Sequence, residues 1–246
     1  MSGVRRARAY AERLGFSAYY RLADLTYAVG LATPKRTVAG TYWSYEPTNP
    51  HGDDVGLSVL DGLPRDATVY DVGAHVGEYA IPIAVDTNRR VVAFEPNGES
   101  AARFERNVAK NDVDDRVELH RMGLGAVDET RTFYRSTFSK LSAFDRDAAT
   151  RWGGSISGTT PVPIRRIDAL VGEFTPPDAM KIDVEGAELA VLRGATKTVE
   201  THRPLLIVER HVEDSADERR ADAVRRWLDD REYRIETVGE TWVCRG

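Results

Sequence analysis

The chain of 246 residues is short of the groups that most often staple a small protein together. Its single cysteine, Cys244, rules out an internal disulfide framework and a cysteine-based zinc cluster, so the thiol is expected to be buried and idle. Long apolar runs are missing as well. The most apolar early stretch, residues 14–34, is interrupted by Arg21 and Asp24, whereas a membrane span needs about 20 mostly apolar residues. The first residues lack the uninterrupted apolar segment of a secretory signal, and cytoplasmic residence is the expectation. The dinucleotide fingerprint G-x-G-x-x-G is also absent.

What is present suits a globular fold. Hydrophobic residues make up 41% and charged residues 30%, and the length fits one large α/β domain with short additions. The net charge of −5 is unevenly spread. Residues 1–36 carry seven basic and two acidic side chains, a net +5, which leaves −10 for the remainder. An acidic body disfavours nucleic acid, whose affinity comes mainly from cationic contacts to phosphates. The basic head, rich in Tyr10, Phe16, Tyr19, Tyr20 and Tyr27, is suited to docking on the main domain or to touching the inner membrane face or a partner. Three regions follow: a basic helical extension over 1–36, a connector over 37–66 with four prolines in 33–66, and a main domain over 67–246.

Within the main domain the hydrophobic period alternates between strand and helix. Thr68-Val69-Tyr70-Asp71-Val72 reads as a strand ended by glycine, followed by a helix over 77–86. A continuous apolar run at 91–94 suits a strand buried on both faces, and Ser100 is placed to cap a helix over 100–110. Further strands are predicted at 117–124, 179–182, 205–208, 233–237 and 241–244, with helices over 185–199 and 216–229. Residues 130–134 are expected to pair with 160–164 as a hairpin, and the polar stretch 136–142 to form a lid beside the cleft. The predicted fold is therefore a doubly wound α/β domain with a mostly parallel seven-stranded sheet and an N-terminal helical extension. The last two strands must be antiparallel to each other.

The turn after the first of these strands, Gly73-Ala74-His75-Val76-Gly77, sits where doubly wound folds bind cofactors. Glycine there permits positive φ and close approach of the backbone. The next strand ends Phe94-Glu95-Pro96-Asn97, setting Glu95 at the neighbouring strand end, where a carboxylate accepts from ribose hydroxyls. Asp71 is placed to balance a cationic ligand. Acidic groups at both strand ends repel pyrophosphate and suit S-adenosylmethionine. Candidate cofactor residues are thus Asp71, Gly73, Ala74, His75, Gly77, Glu95, Pro96 and Asn97.

These segments, with Asn107, Asn111 and the run Lys181-Ile182-Asp183-Val184-Glu185-Gly186-Ala187-Glu188, then Arg203-Pro204 and Glu209, resemble the FkbM-type methyltransferases over roughly residues 66–212. The resemblance implies a Rossmann-like class I methyltransferase fold, S-adenosylmethionine as cofactor and O-methylation of hydroxyls on sugars or similar metabolites. His75 departs from the family, where Asn is frequent. Glycan modification is the activity this resemblance favours, with a hydroxylated small molecule or glycan, lipid-linked or free, as acceptor.

Loss of the acceptor proton needs a base or a metal. Asp183 and Glu209 are each set at a strand end on one sheet edge, where neighbouring strands lie about 4.8 Å apart. Asp183 is the first candidate for the base or acceptor-orienting group, followed by Glu209 and His211. No dedicated metal-ligand spacing is visible. The rival readings are a nicotinamide-dependent oxidoreductase or epimerase and a non-catalytic scaffold on the same fold.

Overall fold

A computed structural model describes residues 3–210 and 215–246, with side chains described outside 3–14 and 151–153. Its elements are α1 (Gly3–Val29), β1 (Thr33–Thr37), β2 (Gly40–Ser44), α2 (Val55–Asp61), β3 (Thr68–Val72), α3 (Ala80–Ala84), β4 (Arg90–Phe94) and α4 (Gly98–Asn111). Then come β5 (Val117–His120), β6 (Gly123–Leu124), β7 (Glu129–Ser136), β8 (Ile156–Arg165), α5 (Ile167–Leu170) and β9 (Ala179–Ile182). The rest are α6 (Glu188–Gly194), α7 (Thr196–His202), β10 (Leu205–Glu209), α8 (Ser215–Asp229), β11 (Arg234–Val238) and β12 (Thr241–Arg245).

The central sheet has seven strands in the order β11-β12-β10-β9-β3-β4-β5. The pairs β10–β9, β9–β3, β3–β4 and β4–β5 are parallel, while β12 runs antiparallel to both its neighbours. The doubly wound, mostly parallel sheet read from the sequence is the one observed. Both faces of β3 are buried, and so are both faces of β4 over residues 91–94, as its continuous apolar run requires. Tyr70, Val72, Phe94, Met180 and Ile182 pack on one side with Leu192 and Trp227. Val69, Ala93 and Ala179 pack on the other with Leu57, Ile81 and Phe104. The chain leaves β3 toward β4 on one side and later returns beside it as β9, so the switch point of the sheet lies between β3 and β9.

Several boundaries differ from the sequence reading, each for a local reason. The connector is not irregular: β1 and β2 form a hairpin, and α2, capped by the Asp54 side chain on Leu57 N–H at 3.0 Å, sends Leu57 and Leu60 into the core. The helix after the glycine loop is only Ala80–Ala84, because Gly77 and Asp86, both at positive φ, bound it. Asn97, not Ser100, caps α4. The predicted third strand divides into β5 in the central sheet and β6 in a second sheet of order β6-β8-β7. The hairpin of that sheet pairs Thr130 with Pro163 and Tyr134 with Thr159, as expected.

The single helix expected over 185–199 is two. Glu185 (φ 52) and Gly186 (φ 97) are left-handed, so α6 starts at Glu188, and Asp183 does not cap it. The break at Gly194 lets that helix sit backbone to backbone on Gly125, whose carbonyl oxygen would lie 2.0 Å from any Cβ. Cys244 is fully buried in β12, and burial pushes its thiol up to about 12.

Helix α1 docks along the domain edge. Thr26 Oγ1 donates to the Tyr45 carbonyl at 2.5 Å, Arg103 pairs with Asp24 at 2.6 Å, and Arg103 and Arg106 stack on Tyr27. Its outer side keeps Leu22, Leu25 and Val29 exposed, spaced for one helical face.

Candidate active site

A cleft of about 350 Å³ opens at the carboxyl ends of β3, β4 and β9. Gly73, His75, Glu95, Pro96 and Asp183 line it. Gly73 has φ 84, and a Cβ there would lie 1.9 Å from the Asp183 carbonyl oxygen. Glycine is thus required by the approach of the β9–α6 turn as well as by its backbone angle. The N–H groups of Gly73 and Ala74 both donate to the Phe94 carbonyl, at 3.0 and 3.1 Å, fastening the loop to the end of β4.

Glu95 is held by two backbone donors, His75 N–H at 2.8 Å and Asn97 N–H at 2.7 Å. Burial pushes its carboxyl above the usual range, against the pull of His75 and those two donors. It therefore organises the rim of the cleft. Asn97 turns away from the cleft: besides capping α4, its amide donates to Ser139 O at 3.3 Å and Ser142 Oγ at 3.2 Å. It anchors the lid stretch, whose Ser139, Lys140 and Ser142 line the cleft.

Asp71 is buried behind the cleft rather than within it, 1% exposed. Strand alternation turns it to the side of Val69, where Lys181 Nζ lies 3.8 Å from Asp71 and 3.1 Å from Asp183. Burial raises the Asp71 carboxyl, opposed by Lys181. Lys181 itself is held above its ordinary value, because Asp183 and Asp71 outweigh its own burial. Its ammonium lies 4.7 Å from the Tyr79 ring centroid. This lysine is thus the ion-pair partner of both carboxylates.

Glu209 ends β10 and accepts from Thr241 Oγ1 at 3.0 and 3.1 Å. Burial and the nearby Asp183 charge raise its carboxyl. It faces a small recess beside Arg210 and Trp242, not the main cleft. His211 lies outside the described residues. No group of three His, Cys, Asp or Glu side chains among the described residues is placed to hold a metal.

A polar chain next to the glycine loop escaped the sequence reading. His51 Nδ1 lies 3.3 Å from Asp54, His51 Nε2 3.7 Å from Glu78 Oε2, and His75 Nδ1 3.8 Å from the same oxygen. Tyr79 OH donates to Asp54. Burial acts to raise Glu78, but His75, His51 and Lys140 outweigh it and hold the carboxyl down at about 2. His51 with Asp54 and His75 with Glu78 are each three residues apart, but nothing local announces that the two segments meet.

The lining of the cleft fits a cationic nucleoside. Its acidic residues, Glu95, Asp145, Asp183 and Glu185, outnumber Arg131 and Lys140, and Phe94, Met122 and Phe133 supply apolar walls for a base. A pyrophosphate would meet Glu95 at the end of β4 and Asp183 at the end of β9.

A family model described as the methyltransferase FkbM domain matches residues 71–235. Hexuronic acid methyltransferase AglP of Haloferax volcanii is 31% identical over 162 residues, 64% of this chain and 62% of that protein. AMB antimetabolite synthetase AmbE of Pseudomonas aeruginosa is 32% identical over 197 residues, 66% of this chain but 9% of that protein. This chain thus spans less than two thirds of the length of either relative. The crystal structure of methyltransferase FkbM from Methylobacillus flagellatus superposes with a TM-score of 0.50 at 21% identity, over 73% of this chain and 43% of that one, and shares the fold. The chain belongs to the FkbM methyltransferase family, whose methyl donor is S-adenosylmethionine.

Proposed function

We propose that this protein transfers a methyl group from S-adenosylmethionine to a hydroxyl of a sugar, glycan or similar metabolite. The observation that carries the reading is the acid-lined cleft at the switch point, with Glu95 fixed by two backbone donors at its rim. Glu95 is the ribose-binding carboxylate in this reading. Gly73, Ala74, His75, Gly77 and Pro96 shape the bed, Asp71 adds negative charge from behind, and Asn97 steadies the lid. When bound, the sulfonium donor supplies an activated methyl carbon. The protein's part is to align an acceptor oxygen with that carbon and to exclude water. Asp183 orients the acceptor or takes its proton, with Glu209 behind it.

A sugar acceptor is supported by the relative named for a hexuronic acid. The exposed Leu22, Leu25 and Val29 on α1, beside Arg21, support peripheral contact with an anionic membrane and hence a lipid-linked acceptor. No helix among the described residues is long and apolar enough to cross a membrane.

Calorimetric titration with S-adenosylhomocysteine and with NAD(H) tests the cofactor: binding of the first alone is expected, and binding of only the second overturns the reading. Incubation of cell extracts with labelled donor, followed by mass spectrometry, tests the acceptor. An alkali-stable methyl ether on a glycan is expected. An alkali-labile ester, labelled protein or labelled RNA overturns the hydroxyl assignment.

A further inference from the structure

A second chamber, also of about 350 Å³, lies against the glycine loop. One wall is α1, through Phe16, Tyr19 and Tyr20; the other is Pro50, His75, Glu78 and Lys140. His75 and Lys140 line this chamber and the cofactor cleft alike, so the two spaces meet at these side chains. A methyl acceptor must lie within reach of the donor yet outside its bed, and this chamber has that position.

Its walls are chemically divided. Phe16, Tyr19 and Tyr20 are half-buried, and their rings are held in place. The Tyr20 ring stacks on Phe138 at 5.5 Å while its hydroxyl accepts from Lys140 N–H at 3.0 Å, and Tyr19 OH donates to Glu46 at 2.5 Å. Fixed aromatic faces of this kind cover the C–H face of a sugar ring at small entropic cost. Glu78, ionised and steadied by His51 and His75, presents acceptor oxygens to ring hydroxyls. The Lys140 side chain is exposed at the junction, near enough to Glu78 to help keep it ionised, and offers its ammonium to an incoming anion.

We propose that this chamber is the acceptor site and takes an anionic glycoside, its ring on Tyr19 and Tyr20, its hydroxyls on Glu78 and its carboxylate on Lys140. The assignment rests on the methyl-transfer reading and names the substrate class of that reaction. The acceptor hydroxyl loses its O–H bond and gains an O–CH3 bond, the C–S pair departs with sulfur, and the proton passes to Asp183 in the cofactor cleft and on to water. His75 separates the chambers and positions Glu78.

The test uses the full chain with S-adenosylhomocysteine present, and a glucuronide and a neutral glucoside of the same aglycone as probes in calorimetry. The glucuronide is expected to bind more tightly. Lys140→Ala should lower its affinity at least tenfold with little effect on the glucoside, and Tyr20→Ala should weaken both. S-adenosylhomocysteine affinity, measured without glycoside, should fall by a smaller factor than glucuronide affinity in both variants, since Lys140 lines both spaces. Equal binding of the two probes, binding of neither, or glucuronide affinity indifferent to Lys140 and Tyr20 overturns the proposal. Failure of S-adenosylhomocysteine to bind the unmodified chain would instead sink the methyl-transfer reading. Should Tyr20→Ala fail to fold, Tyr20→Phe replaces it, expected to retain glucoside binding through the ring.

Discussion

The two chambers share His75 and Lys140, yet they are built on different principles. The cofactor cleft is made by backbone: strand ends, a left-handed glycine, and a carboxylate pinned by two amides. The outer chamber is made by side chains that α1, the connector and the lid bring together from far apart in sequence. Backbone-defined sites tolerate little and specify a common ligand. Side-chain-defined sites are free to change from one relative to the next, which is where acceptor choice belongs.

Gly73→Ala should break the first principle most severely. With φ 84 and a carbonyl oxygen 1.9 Å from the new Cβ, the loop or the β9–α6 turn must move. A loss of about 3–5 kcal/mol in denaturant unfolding is expected, with loss of S-adenosylhomocysteine binding. Unchanged binding would show that the turn yields easily. Glu95→Gln should cost about 2–3 kcal/mol of cofactor affinity, roughly 30- to 160-fold, since a charged acceptor is removed and a buried donor gains no new partner. Titration calorimetry reads it, and a loss of less than threefold would place the ribose elsewhere.

The polar chain behind the outer chamber gives a pH signature. Glu78 titrates at about 2 in the folded chain against 4.5 ordinarily, so its stabilisation is present above about pH 4.5 and is lost as pH falls toward 2. Glu95 and Glu209, both raised, act in the opposite sense, their contribution being lost as pH rises. Glu78→Gln should therefore flatten the acid limb of the stability curve by about 1–3 kcal/mol, measured by thermal melting from pH 7 down to the onset of acid unfolding. An unaltered acid limb would mean that the two histidines do not hold this carboxylate in solution. The smallest effect is expected at the outer surface. Leu25→Ser should shift stability by no more than about 0.5 kcal/mol while weakening sedimentation with vesicles rich in phosphatidylglycerol. Sedimentation equal to that of the unaltered chain would remove the membrane from the picture.

The same division explains what the sequence made legible. Parallel strands buried on both faces write themselves as apolar runs in β4 and β10, and β3 and β9 stood out by short apolar stretches broken only by Asp71 and Lys181. The pairing of β7 with β8 followed from alternation. The hairpin β1–β2 was hidden by prolines and by its brevity, and the split between β5 and β6 lay inside one short stretch, 117–124, with apolar residues alternating on both sides of His120 and Arg121. The late start of α6 depends on the left-handed Glu185, which residue type does not announce. His75 and Glu78 are neighbours three residues apart, whereas the approach of His51 to Glu78 is a product of tertiary packing.

The lid stretch is gripped on one side by Asn97 and on the other by Tyr20, and its Lys140 belongs to both chambers. Under the proposed assignment, a ligand that orders this stretch prepares it for the other, which would couple donor and acceptor through a single segment. Reciprocity then demands that S-adenosylhomocysteine tighten glucuronide binding by the same factor as the glucuronide tightens S-adenosylhomocysteine. The order in which the two arrive becomes a matter of kinetics and leaves the final balance unchanged.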